Sequence, residues 1–204
     1  MFAPAHHQAT RFVVPVRREL AVRTIFNLLG PLTNPAGARR QLIGTSDASV
    51  LGTIAGALAR LGVDRALVVA SEDGLDEISI AAATSVVEVN GEEITRYTLL
   101  PDDVGVRQRT REELERDCTG GTPEQNAGVT RMILGLEQPA SARPAAFDLA
   151  AINAGAAIYV GGGADSIADG VQAARSALAE ETAARALEGY VHASLARAPS
   201  PASR

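Results

Sequence analysis

Residues 41–70 restrict the fold more than any other part of this 204-residue chain. Gln41–Gly44 reads as a short strand. Ser46 and Asp47 offer side-chain oxygens for a helix start, the helix is expected from about Ala48 to Leu61, and Gly62 stops it. Ala66–Ala70, five aliphatic residues in a row, then reads as a fully buried strand. Strand, helix and strand in that order predict two parallel strands joined by a right-handed crossover. The fold class is therefore α/β: a mixed sheet with parallel strands flanked by helices.

The remaining elements follow from local punctuation. Residues 1–40 lack sustained periodicity, and GPLTNPAG at 30–37 is expected to be an irregular loop, because residues before proline avoid the helical region. Thr84–Val89 and Glu93–Thr98 alternate apolar and polar residues around Asn90-Gly91, which predicts a hairpin with positive φ at both turn positions. A short helix is expected near Thr110–Arg116. Thr122-Pro-Glu-Gln125 sets a capping threonine, an N1 proline and an N3 glutamine ahead of a helix over Asn126–Leu136. Pro144 opens a helix through Val160, ended by Gly161-Gly-Gly163. Ser166-Ile-Ala-Asp169 begins a last, alanine-rich helical region to about Arg197, with a break near Glu180. The C-terminal region is thus helical, residues 1–197 form one α/β domain, and APSPASR at 198–204 is expected to be a disordered tail.

Composition narrows the function classes. The apolar runs fall far short of the ~20 residues of a membrane helix. No basic start with an apolar segment and small-residue cleavage site opens the chain, so no secretion signal is expected. A single cysteine, Cys118, forms no internal disulfide and suits the cytoplasm. The net charge is −5, yet residues 1–40 hold six arginines against one acid, Glu19, while the remainder holds 13 arginines against 23 acids. A basic segment on an acidic protein points to a local anion site rather than to a nucleic-acid face, although solvated surface arginines give the same composition.

Candidate chemistry centres on SEDGLDEI, residues 71–78. The buried strand ends, the chain breaks at Gly74, and Asp76 and Glu77 stand side by side. In open α/β sheets, ligands bind outside the carboxyl ends of strands, and adjacent acids on an irregular loop can both face one ion. Two carboxylates are too few for a calcium cage. They suit Mg²⁺, which keeps waters and takes further ligands from substrate phosphates; a solvated acidic turn has the same spacing. TGGT at 119–122 has the glycines of a phosphate loop but no clear strand before it and no lysine, and reads as a helix cap. His6 and His7 are adjacent rather than four apart, which argues against a metal site but leaves a ligand-lining role open for one of them. Cys118 lacks the electropositive setting of a nucleophile.

FVVPVRRELAVRTIFNLLGPLTNPAG at 12–37 resembles anthranilate phosphoribosyltransferase. FAPAHH at 2–7, RQLIG at 40–44, EDGLDEIS at 72–79 and GGTPEQNA at 120–127 extend the resemblance over nearly the whole chain. It implies a small helical domain with a larger α/β domain, commonly as a homodimer. It also implies transfer of phosphoribose from phosphoribosyl pyrophosphate to anthranilate, with release of pyrophosphate and Mg²⁺ as cofactor. Carried onto this sequence, Arg17 would contact the anthranilate carboxylate, His7 would line the same channel, and Asp76 and Glu77 would hold Mg²⁺.

Two departures qualify this expectation. Gln8 stands where the family has proline after the second histidine. The family's Gly-Thr-Gly-Gly-Asp pyrophosphate loop, its Lys-His-Gly-Asn segment and its dimerising helices lie ahead of the matched region, and TGGT does not replace that loop. The phosphoribosyltransferase domain is therefore expected to be incomplete here, as a fragment or a coding sequence begun at an internal methionine, with little activity alone. The other class of reading is a non-catalytic or split-enzyme module that completes its site with a separate N-terminal chain. A nucleoside-phosphorylase relative would share the fold but not RTIFNLLGPLTNP.

Overall fold

In the computed structural model, the described residues are 36–136 and 143–197, together with Glu19, Leu29, Gly30 and 32–34. The chain forms β1 (Arg40–Gly44), a 3₁₀ turn (Ala48–Val50) running into α1 (Leu51–Arg60), then β2 (Arg65–Ser71), β3 (Thr84–Asn90) and β4 (Glu93–Leu99). A second 3₁₀ turn (Pro101–Val104) leads to α2 (Arg111–Cys118), α3 (Pro123–Ile133), α4 (Pro144–Gly161), α5 (Ile167–Ala179) and α6 (Thr182–Ala196). Among the described residues the four strands lie in the order β1-β2-β3-β4. β1 and β2 are parallel, with Leu42 opposite Leu67, as the strand–helix–strand pattern predicts. β3 runs antiparallel to β2, with Ser71 opposite Thr84, and β4 antiparallel to β3.

Alternation along the strands divides the core into two layers. Ala66, Val68 and Ala70 of β2 and Val87 and Val89 of β3 meet Leu51, Ile54, Ala55 and Leu58 of α1. Leu67, Val69 and Val86 face the other way, onto Ile152, Ala156 and Val160 of α4 and Val171 of α5. β2 is thus covered on both faces, which is why Ala66–Ala70 is a continuous apolar run and not an alternating one. The 18-residue helix α4 is long and apolar enough, by those measures alone, to cross a membrane. Eight of its residues are buried inside the fold, however, and a helix apolar all round is what a core position requires. Its last carbonyls, Val160 and Gly161, accept hydrogen bonds from the Arg40 guanidinium, a cation placed at the negative end of the helix.

Local signals explain the helix starts. Asp47 accepts a hydrogen bond from the Ser49 amide at 3.0 Å, Thr110 and Glu113 form a capping box on α2, and Thr122 and Gln125 form another on α3. The break expected near Glu180 separates α5 from α6 and includes Glu181 at φ 60°.

Two expectations need correction. The hairpin is present, but Asn90 pairs with Glu93, so the turn residues are Gly91 and Glu92. Only Gly91 has positive φ, at 61°, which is the requirement of a II′ turn rather than of the I′ turn that Asn-Gly suggests. The other correction concerns 30–37. Leu29, Gly30 and Leu32 are helical, and the Thr33 hydroxyl donates to the Leu29 carbonyl at 2.9 Å, so residues 30 and 32 are not irregular loop. The clash that keeps a pre-proline residue out of the helical region involves its Cβ, and residue 30 is glycine. The expected tail, 198–204, lies outside the described residues.

A partly buried ion-pair group, centred on the buried Asp148, ties the chain before α2 to α4 and α5. Arg109 donates to Asp148 on α4 at 2.6 Å and pairs with Glu113, while Arg175 on α5 reaches Asp148 at 3.3 Å. The Arg109 side chain is 12% exposed and that of Asp148 10%. Removing one member of such a group strands a buried charge. Arg109→Ala is expected to lower stability by about 3 kcal/mol, the low end for a broken buried pair, because Arg175 still faces Asp148. Urea denaturation of both proteins measures it.

Candidate functional site

The loop of residues 72–83 leaves the carboxyl end of β2, crosses the carboxyl end of β1 and returns into β3. Asp76 and Glu77 occupy its middle, both exposed. Polar residues buried beneath them hold the backbone. Ser71 and Thr84, opposite each other at the ends of β2 and β3, approach within 3.2 Å through their hydroxyls. The Ser79 amide donates to both hydroxyls at 3.1 Å. The Ser71 hydroxyl in turn donates to the Glu77 carbonyl at 2.5 Å. Ser79 also donates through its own hydroxyl to Asp73 at 2.6 Å. The Ser71 and Thr84 hydroxyls thus give buried backbone groups of the loop the partners that water cannot supply there.

Two further contacts come from elements distant in sequence. A Cβ added at Gly44, the last residue of β1, would stand 1.5 Å from the Asp76 carbonyl oxygen. Only a residue without a side chain lets the loop lie that close to the strand. From α4, the Asn153 carboxamide accepts from the Ile78 amide at 2.9 Å and donates to the Ile78 carbonyl at 3.0 Å.

Glu77 also lines a cavity of about 440 Å³. Its walls include Cys118 at the end of α2, Gly120 after it, Asn126 on α3, and Leu149 and Asn153 on α4. TGGT therefore has both characters. Thr122 caps α3 and the Gly121 amide donates to Asn126 Oδ1 at 2.8 Å, while Thr119 and Gly120 border the same cavity as Glu77. Although Glu77 as a whole is exposed, partial burial of its carboxyl, and after it the charge of Asp76, raises that carboxyl above the usual carboxylate range. Burial likewise raises the Cys118 thiol, the opposite of what a thiolate nucleophile needs.

The oxygen donors of Asp76 and Glu77 are of the type that a hard divalent ion takes. Two adjacent carboxylates supply charged oxygens, and a cation held by both would favour the charged form of Glu77, whose carboxyl is raised first by burial and second by the Asp76 charge. Among the described residues no group of three or more His, Cys, Asp or Glu gathers at metal-binding distance, so further ligands would come from water or a bound phosphate. Arg17 and His7 lie outside the described residues. Sequence reading missed Gly44, Ser71, Ser79, Thr84 and Asn153. The available signals were small hydroxyl residues at strand ends and an asparagine inside the otherwise apolar run AAINAGAAI.

The sequence matches the glycosyl transferase family, a/b domain, over residues 1–184. It is 46% identical over 194 residues to the anthranilate phosphoribosyltransferase of Rubrobacter xylanophilus, a match that covers 95% of this chain and 54% of the relative. The structure resembles that of the Thermus thermophilus anthranilate phosphoribosyltransferase, with a TM-score of 0.78 and 42% identity over 91% of this chain and 52% of that one. The same fold recurs in the Saccharomyces cerevisiae anthranilate phosphoribosyltransferase solved with PRPP and Mg, at a TM-score of 0.78 and 22% identity, over 89% of this chain and 50% of that one. The chain thus spans about half the length of the relatives it matches.

Proposed function

This chain belongs to the glycosyl transferase family through its α/β domain, and on that premise we propose that it supplies the cation- and acceptor-binding part of an anthranilate phosphoribosyltransferase. The reaction moves phosphoribose from phosphoribosyl pyrophosphate to the amine of anthranilate and releases pyrophosphate. The observation that carries the proposal is the pair Asp76 and Glu77, set on a fixed loop at the carboxyl ends of the two parallel strands.

In this reading Asp76 and Glu77 hold Mg²⁺, which supplies positive charge against the diphosphate of the donor. The loop backbone is held at Asp76, Glu77 and Ile78 before any ligand arrives, so less ordering of the chain remains to be done on binding. Arg17 binds the anthranilate carboxylate through its planar guanidinium, a geometry suited to two parallel hydrogen bonds. That contact orients the acceptor amine towards the sugar, and its contribution is one of proximity. His7 lines the acceptor site. The proposal sets the protein in the cytoplasm, in keeping with a lone, half-buried free cysteine.

The test is a chimera in which residues 1–204 replace the matching segment of the Rubrobacter relative. Transfer from phosphoribosyl pyrophosphate to anthranilate is expected, and a folded but inactive chimera would contradict the reading. Within it, Arg17→Ala is expected to raise the KM for anthranilate by roughly 10- to 100-fold, the worth of a hydrogen bond to a charged group. An unchanged KM would remove Arg17 from the acceptor site. The 204-residue polypeptide assayed alone is expected to turn over near background, because these residues contain no Gly-Thr-Gly-Gly-Asp loop. Turnover comparable to that of the chimera would overturn that expectation.

A further inference from the structure

Three consecutive residues of the acidic loop are each held by a different element of the fold. Asp76 rests its carbonyl against Gly44 of β1, Glu77 accepts at its carbonyl from Ser71 of β2, and Ile78 is paired at both its amide and its carbonyl with Asn153 of α4. Resting on the reading of Asp76 and Glu77 as the cation pair, we propose that Asn153 is a positioning residue, which fixes the loop backbone so that the two carboxylates stay arranged for one ion.

The chemistry of the side chain supports this role. A carboxamide offers an acceptor and two donors on one rigid plane. Asn153 spends all of them, on the Ile78 amide, the Ile78 carbonyl and the Leu149 carbonyl of its own helix, the last at 3.0 Å. Its orientation is therefore set by α4, and the backbone at Ile78 is set by its orientation. Ile78 is 1% exposed, so its amide and carbonyl have no easy recourse to water if the carboxamide is removed. The helix around it is alanine, glycine and isoleucine, and asparagine is a poorer helix former than any alanine it interrupts. Asn153 also borders the cavity that Glu77 lines. It thus joins the wall of that cavity to the backbone that carries the acids. The two carboxylates repel each other, and a loop free to move would separate them. Hydrogen bonds outside the ligands themselves keep ligand groups in place and strengthen metal sites by limiting that freedom.

The test uses Mn²⁺ as the probe, titrated into the 204-residue protein and its Asn153→Ala variant by water-proton relaxation. Amide exchange at Glu77 and Ile78 and the urea midpoint are measured on the same samples. Asn153→Ala is expected to bind Mn²⁺ roughly tenfold more weakly, the low end for loss of an outer hydrogen-bond partner, with an unchanged number of ions and faster exchange at Ile78. Asn153→Gln, which keeps the carboxamide but shifts it by one methylene from the Ile78 backbone, is expected to weaken binding as well, and it decides the matter if Asn153→Ala does not fold. Unchanged Mn²⁺ affinity alongside faster exchange at Ile78 would overturn the proposal, since Asn153 would then only fasten the loop. No binding by the parent protein would defeat the cation reading by itself. The positioning role is then judged by NMR order parameters of the Asp76 and Glu77 amides: a fall in Asn153→Ala supports it, and no change contradicts it.

Discussion

Gly170→Ala is expected to destabilise the protein by about 2–3 kcal/mol, a cost of overpacking, although alanine is the better helix former. A Cβ at residue 170 on α5 would stand 2.2 Å from the carbonyl oxygen of Gly155 on α4. Seen from the other helix, a Cβ at Gly155 would meet the Val171 amide nitrogen at 2.5 Å. Both obstacles are backbone, so no rotamer change relieves them and the two helices must move apart. Val171 and Ala156 between them are fully buried, and separation would open that layer of the core. The intrinsic gain from replacing a helical glycine by alanine, about 1 kcal/mol, is smaller than the packing loss. Gly189 on α6 provides the control, because nothing lies within 4 Å of its added Cβ. Gly189→Ala is therefore expected to raise stability by up to about 1 kcal/mol. For a chain of this length the loss at residue 170 is roughly 4–12 °C in Tm. Thermal and urea denaturation of the three proteins check the prediction, and equal effects at both glycines would sink it.

Asp76→Asn is expected to weaken divalent-cation binding on the order of a hundredfold, about 2.8 kcal/mol in binding free energy. It is also expected to abolish Mg²⁺-dependent binding of phosphoribosyl pyrophosphate in the chimera. The change keeps the shape of the side chain and removes one of two charges. The backbone anchor at Gly44 involves the carbonyl of residue 76, not its carboxylate, so the loop should keep its place. Glu92→Gln, on the exposed hairpin turn beyond Asn90, alters the net charge equally and is expected to leave binding unchanged. The pH dependence has a definite sign. Burial and the Asp76 charge raise the Glu77 carboxyl, so its protonated form persists to higher pH than that of a free glutamate, and protons compete with the cation there. Affinity should fall as pH drops through that raised value. By linkage, a carboxyl raised on folding contributes stability below its unfolded pKa and loses it as pH rises through the folded one. Added cation should offset that loss, and so raise Tm more near neutrality than in acid. Isothermal titration across pH, with both variants, decides it.

How far these features could be read in advance depends on the separation of the residues that make them. The crossover from β1 to β2 was legible because its signals are contiguous: two apolar runs, a capping aspartate and a stop glycine. The start of α3 was legible for the same reason, with Thr122, Pro123 and Gln125 occupying fixed offsets. The hairpin was legible in place but not in turn type, since Asn-Gly fits two registers one residue apart and only the pairing of Asn90 with Glu93 selects between them. Asp76 and Glu77 stood out as adjacent acids after a buried strand. What surrounds them did not. The approach of Asp76 to Gly44 joins residues 32 positions apart, and Asn153 meets Ile78 across 75 positions. Neither contact leaves a periodic trace. TGGT read as a helix cap because Thr122 is one, while Thr119 and Gly120 border the cavity beside Glu77 only through the tertiary packing of these elements. The contact of Gly155 with Gly170 was hidden likewise, because a glycine inside a helix pattern signals weakness locally and close packing only in three dimensions.

The most direct test is an anomalous difference map from crystals of the 204-residue protein soaked in Mn²⁺ and pyrophosphate. The account predicts a peak coordinated by the Asp76 and Glu77 carboxylates, with remaining ligands from water or pyrophosphate oxygens. Peaks confined to other acidic residues, with both carboxylates facing bulk solvent, would contradict it.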